Sequence, residues 1–532
     1  MKIPSFDLHL EDNLSKKKKY RKNLLIFGLL NLLWFIFRTG TKPRRIIYPC
    51  QQDALKNVSI SIGAIIPLFS LSIIWLKVKT WFSYGKAAII IMLTVSTVST
   101  GVILNSAFSP QEVTLEILPR ASESETVSEI FVVNGPEVAH VTDLINLMGS
   151  QNFSFYQSTI SGVNQGPDGL ISATDVVLLK TNCQWSQRGG TNTDFLKELI
   201  QAIIDHPDGF DGEIVVADNG QGRGSMNFGK TNSEDKEQSA QEVVDSFALT
   251  YDVSTFLWDN IRGNEVQEYS EGDMENGYIV YDDEDPETEI YVSYPKFETD
   301  YGTKISFKQG IWNDAEYIHN LKVINLPVLK SHSIYGVTAT LKNYMGVQTE
   351  ALANGHDKVA TGGMGTLMVE CGLPTLNIID AIWVNANPES SVTVGPGTSY
   401  NMATRVNILI AGVDPVALDY WSAKNVLLQT SELIGHIDSY SLDPDSSVTT
   451  GLTEAFGIWL NKSKDELVRA GYNLTSDELN MNVYVENLTL DVEPGHGIRQ
   501  WVWIGSFGAT LITLFVGAFV FIRILKRRKI NK

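Results

Sequence analysis

The chain has 532 residues, 42 Lys+Arg against 61 Asp+Glu and three cysteines, which is long enough for a membrane part together with one large or two smaller domains. The net charge of −19 is segregated: residues 1–107 hold 15 basic and 4 acidic side chains and 501–532 hold 6 and none, which leaves 57 acidic and 21 basic in 108–500, a net of −36. Such a segment repels nucleic-acid phosphates, so DNA and RNA are not expected partners, and with no CxxC pair zinc ribbons and ferredoxin-type iron–sulfur clusters are not expected either.

Apolar runs at 24–37, 58–76, 87–108 and 502–522 predict three N-terminal transmembrane helices and one C-terminal helix, with the lipid bilayer as a partner. The basic stretch 16–22 and the six cations from Arg523 to Lys532 place both termini in the cytoplasm. Three crossings satisfy both ends and hold the domain at 109–500 outside the cytoplasm, although the basic loop 38–56 then falls outside, against the rule. Asn-x-Ser/Thr tripeptides at Asn152, Asn461, Asn473 and Asn487 fit that placement. This topology puts Cys50 on the same side as Cys183 and Cys371, leaving open one disulfide with a spare thiol, or redox-active thiols.

Within the acidic domain, Val/Ile-rich runs at 130–133, 176–179 and 214–217 are each followed by a helical pattern, at 138–148, 193–204 and 239–249. Further runs lie at 323–326, 376–384 and 406–410, the last leading into a helix that Asp414 would cap with Pro415 at its first position. The alternation predicts an α/β domain with a mainly parallel sheet, whose ligands bind beyond the carboxyl ends of the strands. Residues 262–307 break the pattern around the acidic run Asp282-Asp-Glu-Asp285, with β arms at 278–281 and 289–294. This reads as a solvated, acidic, β-rich insertion, since the ligand spacing of a calcium loop is absent.

Three of the scarce lysines sit beyond those strands, in Lys180-Thr-Asn182-Cys183, in Lys330-Ser-His332 and in Thr-Leu-Lys342-Asn343-Tyr-Met-Gly346. Converging ammonium groups in an acidic protein make a local anion site, and a desolvated lysine serves as base or nucleophile. The expected catalytic group is therefore Lys330, His332 and Lys342, with Lys180, Asn182, Asn343 and Asp380 binding a small anionic ligand. The competing structural reading pairs the lysines with buried carboxylates and makes Asp380 a hydrogen-bonded core residue. His332 with His356 and the adjoining Asp357 is a candidate divalent-metal site; a surface His beside its own Asp is the plainer reading. Cys183 beside Lys180 would have a lowered pKa if the lysine charge governs it.

Gly224-Ser-Met-Asn-Phe-Gly-Lys230-Thr231 satisfies the phosphate-loop pattern, but the preceding strand ends several residues early and Asn232-Ser-Glu-Asp is a poor helix start, so nucleotide is not an expected cofactor. Gly220-Gln-Gly222-Arg-Gly224 lacks dinucleotide spacing and reads as a mobile loop.

The segment 324–347, together with the Leu-Leu-Lys-Thr-Asn run ending at Asn182, Asn377-Ile-Ile-Asp380-Ala and Gly412-Val-Asp414-Pro-Val-Ala-Leu-Asp419, resembles the family called domain of unknown function 362 over most of 127–430. The Tyr-Pro-Cys50-Gln loop looks like that of its membrane-anchored relatives. The resemblance implies the fold and the lysine/histidine site and names no reaction. Some members carry a ferredoxin-like iron–sulfur domain, whose cysteines this chain lacks. The expectation is a membrane-anchored domain outside the cytoplasm that binds or processes a small anion, the alternative being a non-catalytic anion-binding or redox-partner receptor.

Overall fold

The structure, a computed structural model, describes residues 111–487 apart from 124–127, 136–139, 223–227, 230–237, 389–397, 437–438 and 449–453. The four apolar runs, Cys50 and the phosphate-loop pattern save Phe228 and Gly229 lie outside the described residues. No helix among the described residues is long and apolar enough to cross a membrane.

In chain order the elements that build the site begin with strand β1 (Ser128–Asn134), helix α1 (Val141–Ser150), β2 (Val176–Lys180), α2 (Thr193–Ile204), β3 (Glu213–Asp218), α3 (Ala240–Phe247) and β4 (Asp252–Leu257). Five strands follow: β5 (Gly277–Val280), β6 (Ser293–Glu298), β7 (Lys304–Ser306), β8 (Gly310–Trp312) and β9 (Tyr317–Ile318). Next are β10 (Leu321–Asn325), β11 (Val328–His332), β12 (Gly336–Thr338), the short α4 (Thr340–Asn343), α5 (Gly363–Cys371), β13 (Leu376–Asn385), β14 (Thr404–Gly412), α6 (Pro415–Ser422), α7 (Phe456–Arg469) and β15 (Met481–Asn487).

Among the described residues the central sheet has eleven strands, with the order β15-β1-β14-β13-β10-β2-β3-β4 along its main path. Most pairings are parallel, so this is an α/β domain with a mainly parallel sheet. The exceptions among the described residues are β14, antiparallel to both β13 and β1, and the antiparallel pair β11 and β12. Strands β2 and β3 are buried along their whole length, as strands covered on both faces must be. Alternate residues feed two cores: Val177, Leu179 and Val216 pack under α1, α2 and α3, while Leu178, Val215 and Ala217 face α5, α6, α7 and the second sheet.

The helix starts follow their capping chemistry. Asn192 accepts from the Asp194 and Phe195 N–H groups at the head of α2, Ser239 and Glu242 form a reciprocal capping box on α3, and Asp414 accepts from Val416 and Ala417 at α6.

Residues 277–318 form the antiparallel sheet β9-β8-β7-β6-β5. This corrects the solvated insertion in two respects. It runs on to Ile318, and its second arm begins at Ser293. The acidic turn Asp282–Glu284 is exposed, whereas Ile290, Val292, Phe297 and Ile305 enter the main core, since apolar residues on one face of the arms have the central domain to pack against.

Candidate functional site

Three neighbouring parallel strands end level with one another: Asn325 of β10 pairs with Lys180 of β2, and Lys180 with Ala217 of β3, one residue before Asp218. Their carboxyl ends open on a cavity of about 430 Å³ lined by Lys180, Lys330, Lys342, His332, His356, Asn182 and Asn343, with Trp185 and Asp218. Asp380, Cys183 and Cys371 do not line it.

Lys180 is spoken for. It is 1 % exposed, its Nζ lies 2.8 Å from Asp218 Oδ1, and it donates to the Thr181 carbonyl at 2.9 Å. The other Asp218 oxygen accepts the Cys183 N–H at 2.7 Å. A Cβ on Gly346 would collide with both members of this ion pair, which is the physical reason for the glycine that closes the Lys342 motif. Burial pulls the Lys180 amine down and Asp218 opposes it, so Lys180 orders the cavity floor.

Lys330 and Lys342 differ from it. Contrary to the expectation of a loop beyond a strand end, Lys330 and His332 lie in β11, which leaves β10 across Pro327, runs beside β13 and turns back into β12 with Lys330 opposite Thr338. Lys330 donates to Asn182 Oδ1 at 3.1 Å and to the Gly189 carbonyl, and pairs with no carboxylate among the described residues. Burial first, then the Lys342 charge, lowers its pKa to about 7. Lys342, 6 % exposed, has no hydrogen bond or ion pair among the described residues; its Nζ stands 5.1 Å from the centroid of the Tyr335 ring. Burial lowers its pKa to about 8, with Glu350 opposing. The helix α4 that carries it is held from α6: Asp419 accepts from the Thr340 N–H at 2.6 Å, the Leu341 N–H at 3.1 Å and the Thr340 hydroxyl. Both acids of the Gly412–Asp419 motif are thus caps.

His332 Nδ1 accepts from the Ile334 N–H at 3.1 Å and the Tyr335 N–H at 3.4 Å. Its proton therefore sits on Nε2, and burial followed by Lys342 drives its pKa well below the usual range, so it enters the site as a neutral hydrogen-bond donor. This tautomer opposes the metal reading, since a metal-bound Nε2 needs the proton on Nδ1. The His332 and His356 rings stand 6.3 Å apart, with the Tyr335 ring 5.1 and 5.2 Å from them. Among the described residues no group of three or more His, Cys, Asp or Glu is placed to hold a metal ion.

Asn343 Nδ2 donates to Asn325 Oδ1 at 2.8 Å and Asn325 Nδ2 to Asn377 Oδ1 at 2.9 Å, an amide relay that fixes the Asn343 side chain. Asp380 sits in mid-strand and accepts the N–H groups of Asn192 and Ile382, which corrects its ligand-binding role to a core acceptor. Burial raises its pKa to about 6. Burial also pushes the Cys183 thiol up to about 12, outweighing Lys180, so a lowered thiol pKa does not hold. Cys183 and Cys371 are free and pack in cores on opposite faces of the sheet, which excludes a disulfide between them. The described part of the loop after Asp218, residues 219–222, is tied: Asp259 accepts the Gly220 and Gly222 N–H groups at 2.5 Å, and Arg262 donates to the Gln221 carbonyl at 2.6 Å.

Sequence reasoning passed over Asp218 and Trp185. A carboxylate ending an otherwise apolar strand is a visible signal, because it needs a cation once buried. Trp185, whose buried Nε1–H has no acceptor among the described residues, carries no such signal.

Residues 310–424 match the family model described as Domain of unknown function (DUF362), which supports the family read from the motifs, over a shorter span than 127–430. The segment contains Lys330, His332, Lys342, Asn343 and His356 but neither Lys180 nor Asp218. No curated protein and no solved structure matches the chain.

Proposed function

We propose that the cavity binds and processes a small anion, with the Lys342 ammonium as its principal partner. The observation that carries this reading is the Lys342 Nζ, buried at the cavity wall with no hydrogen bond or ion pair among the described residues. Desolvating an ammonium without a counter-charge costs several kcal/mol, and a protein keeps such a group where a ligand supplies the charge. The orphan indole N–H of Trp185 and the neutral His332 add donors without adding charge. An anion is favoured over a cation because three lysines line the cavity against two carboxylates, Asp218 and Glu350, and Asp218 is already neutralised by Lys180.

Calorimetric titration of the protein with inorganic phosphate and with acetate across pH 6.5 to 10 tests this. Acetate keeps one charge over that range, so its affinity should hold below the Lys342 pKa of about 8 and fall roughly tenfold per unit above it. Absence of binding by either anion, or an acetate affinity indifferent to pH, would contradict the reading.

A further inference from the structure

Lys330 is held in a way that anion binding alone does not require. An ammonium has three hydrogens to place, a neutral amine two and a lone pair. Around Lys330 Nζ there are two acceptors, Asn182 Oδ1 and the Gly189 carbonyl, and no carboxylate among the described residues. Two acceptors take both hydrogens of a neutral amine and leave its lone pair for the cavity that Lys330 lines. Lys342, beside it, repels a second positive charge, and the lowered pKa of about 7 agrees with the hydrogen-bond count. One lysine is thus arranged as an anchor and the other as a nucleophile.

From this arrangement we infer that Lys330 condenses with the carbonyl group of a small 2-oxo acid whose carboxylate rests on Lys342. The inference builds on the anion-binding reading and adds the substrate class. A 2-oxo acid carries its carboxylate and keto oxygens on adjacent carbons, so a single ammonium with three donors reaches both and polarises the carbonyl that the Lys330 lone pair attacks. The Nζ–C bond forms, one amine proton passes to the oxygen, and the carbinolamine then loses that oxygen as water with the second amine proton, leaving a C=N bond. The Lys342 ammonium is the acid beside the departing oxygen; His332, neutral with its proton on Nε2, contributes a hydrogen bond and no proton. No oxidant or reductant is needed, and the imine, once it takes a proton from the Lys342 ammonium, is an electron sink for proton loss or bond cleavage at the neighbouring carbon.

The test is reductive trapping. Purified protein is incubated at neutral pH with pyruvate, glyoxylate or 2-oxoglutarate and sodium cyanoborohydride, then digested and mapped by mass spectrometry. The expected result is a secondary-amine adduct at Lys330, at least about tenfold above any other lysine, because its free-amine fraction is far larger. The adduct should vanish in Lys330→Met, which keeps the length without an amine, and weaken in Lys342→Met, with thermal unfolding checking that both variants fold. Calorimetry with pyruvate and with lactate, which has the carboxylate but no carbonyl, runs in parallel. Binding of these acids with no adduct, or adducts spread over surface lysines or falling on Lys342, overturns the imine and leaves anion binding standing. Failure of both acids and of acetate to bind overturns both readings.

Discussion

Replacing Asp218 with alanine is expected to destabilise the protein by about 3–5 kcal/mol, the usual consequence of stripping one partner from a buried ion pair. Lys180 is 1 % exposed and its Nζ is 2.8 Å from Asp218 Oδ1, so the variant leaves an ammonium with only the Thr181 carbonyl to answer it. Asp218 also accepts the Cys183 N–H, which loses its partner, and Gly346 packs directly against the pair. Denaturant unfolding measures the change. The double variant Asp218→Leu with Lys180→Met should recover most of the loss, because the penalty belongs to the unpaired charge and apolar side chains fill the same space. A single-variant loss under about 1 kcal/mol would mean that the pair is solvated, as surface pairs are.

Lys342→Met is expected to act in opposite directions on stability and on binding. With the folded-state pKa near 8 against 10.5 unfolded, protonated Lys342 destabilises the folded state by about 3 kcal/mol at neutral pH. The unfolded chain binds more protons between those two values, so stability rises with pH from about 8 to 10.5 in the parent protein. Methionine removes that slope and is more stable below its start, the difference disappearing as pH approaches 10.5. The same substitution removes a charge-assisted hydrogen bond to the anion, so affinity for acetate should fall about a hundredfold. Thermal unfolding across pH and calorimetry check the two halves. A variant that lost stability would show that the ammonium has a partner in the folded protein and that the cavity is a structural gap.

Much of the frame was legible from local pattern. Apolar runs at 176–179 and 214–217 are wholly buried strands, the helix at 193–204 has its predicted bounds, and Asp414 caps α6 ahead of Pro415. The lysine motifs were legible as well, since three of the 21 basic residues of 108–500 fall in them and all three line one cavity. What escaped depended on distant contacts. Lys330-Ser-His332 follows Pro327 and reads as a loop, yet β13 gives it an edge to pair with. Asp218 lies 38 residues from Lys180, and only the parallel pairing of β2 and β3 puts their side chains together. The protonation of His332 is decided by the N–H groups of Ile334 and Tyr335, a tight turn that residue types do not announce. The acidic composition of the insertion hid its apolar face, because the carboxylates are spread among the residues that pack inward, such as Ile290, Val292, Phe297 and Ile305.

The most direct test of an anion-binding cavity is a crystal of the protein soaked in sodium bromide, with data collected at the bromine absorption edge. At about pH 7 an anomalous peak is expected in the cavity within hydrogen-bonding reach of Lys342 Nζ, and it should be absent from Lys342→Met. A cavity without halide, or one holding a metal cation between His332 and His356, would contradict the account.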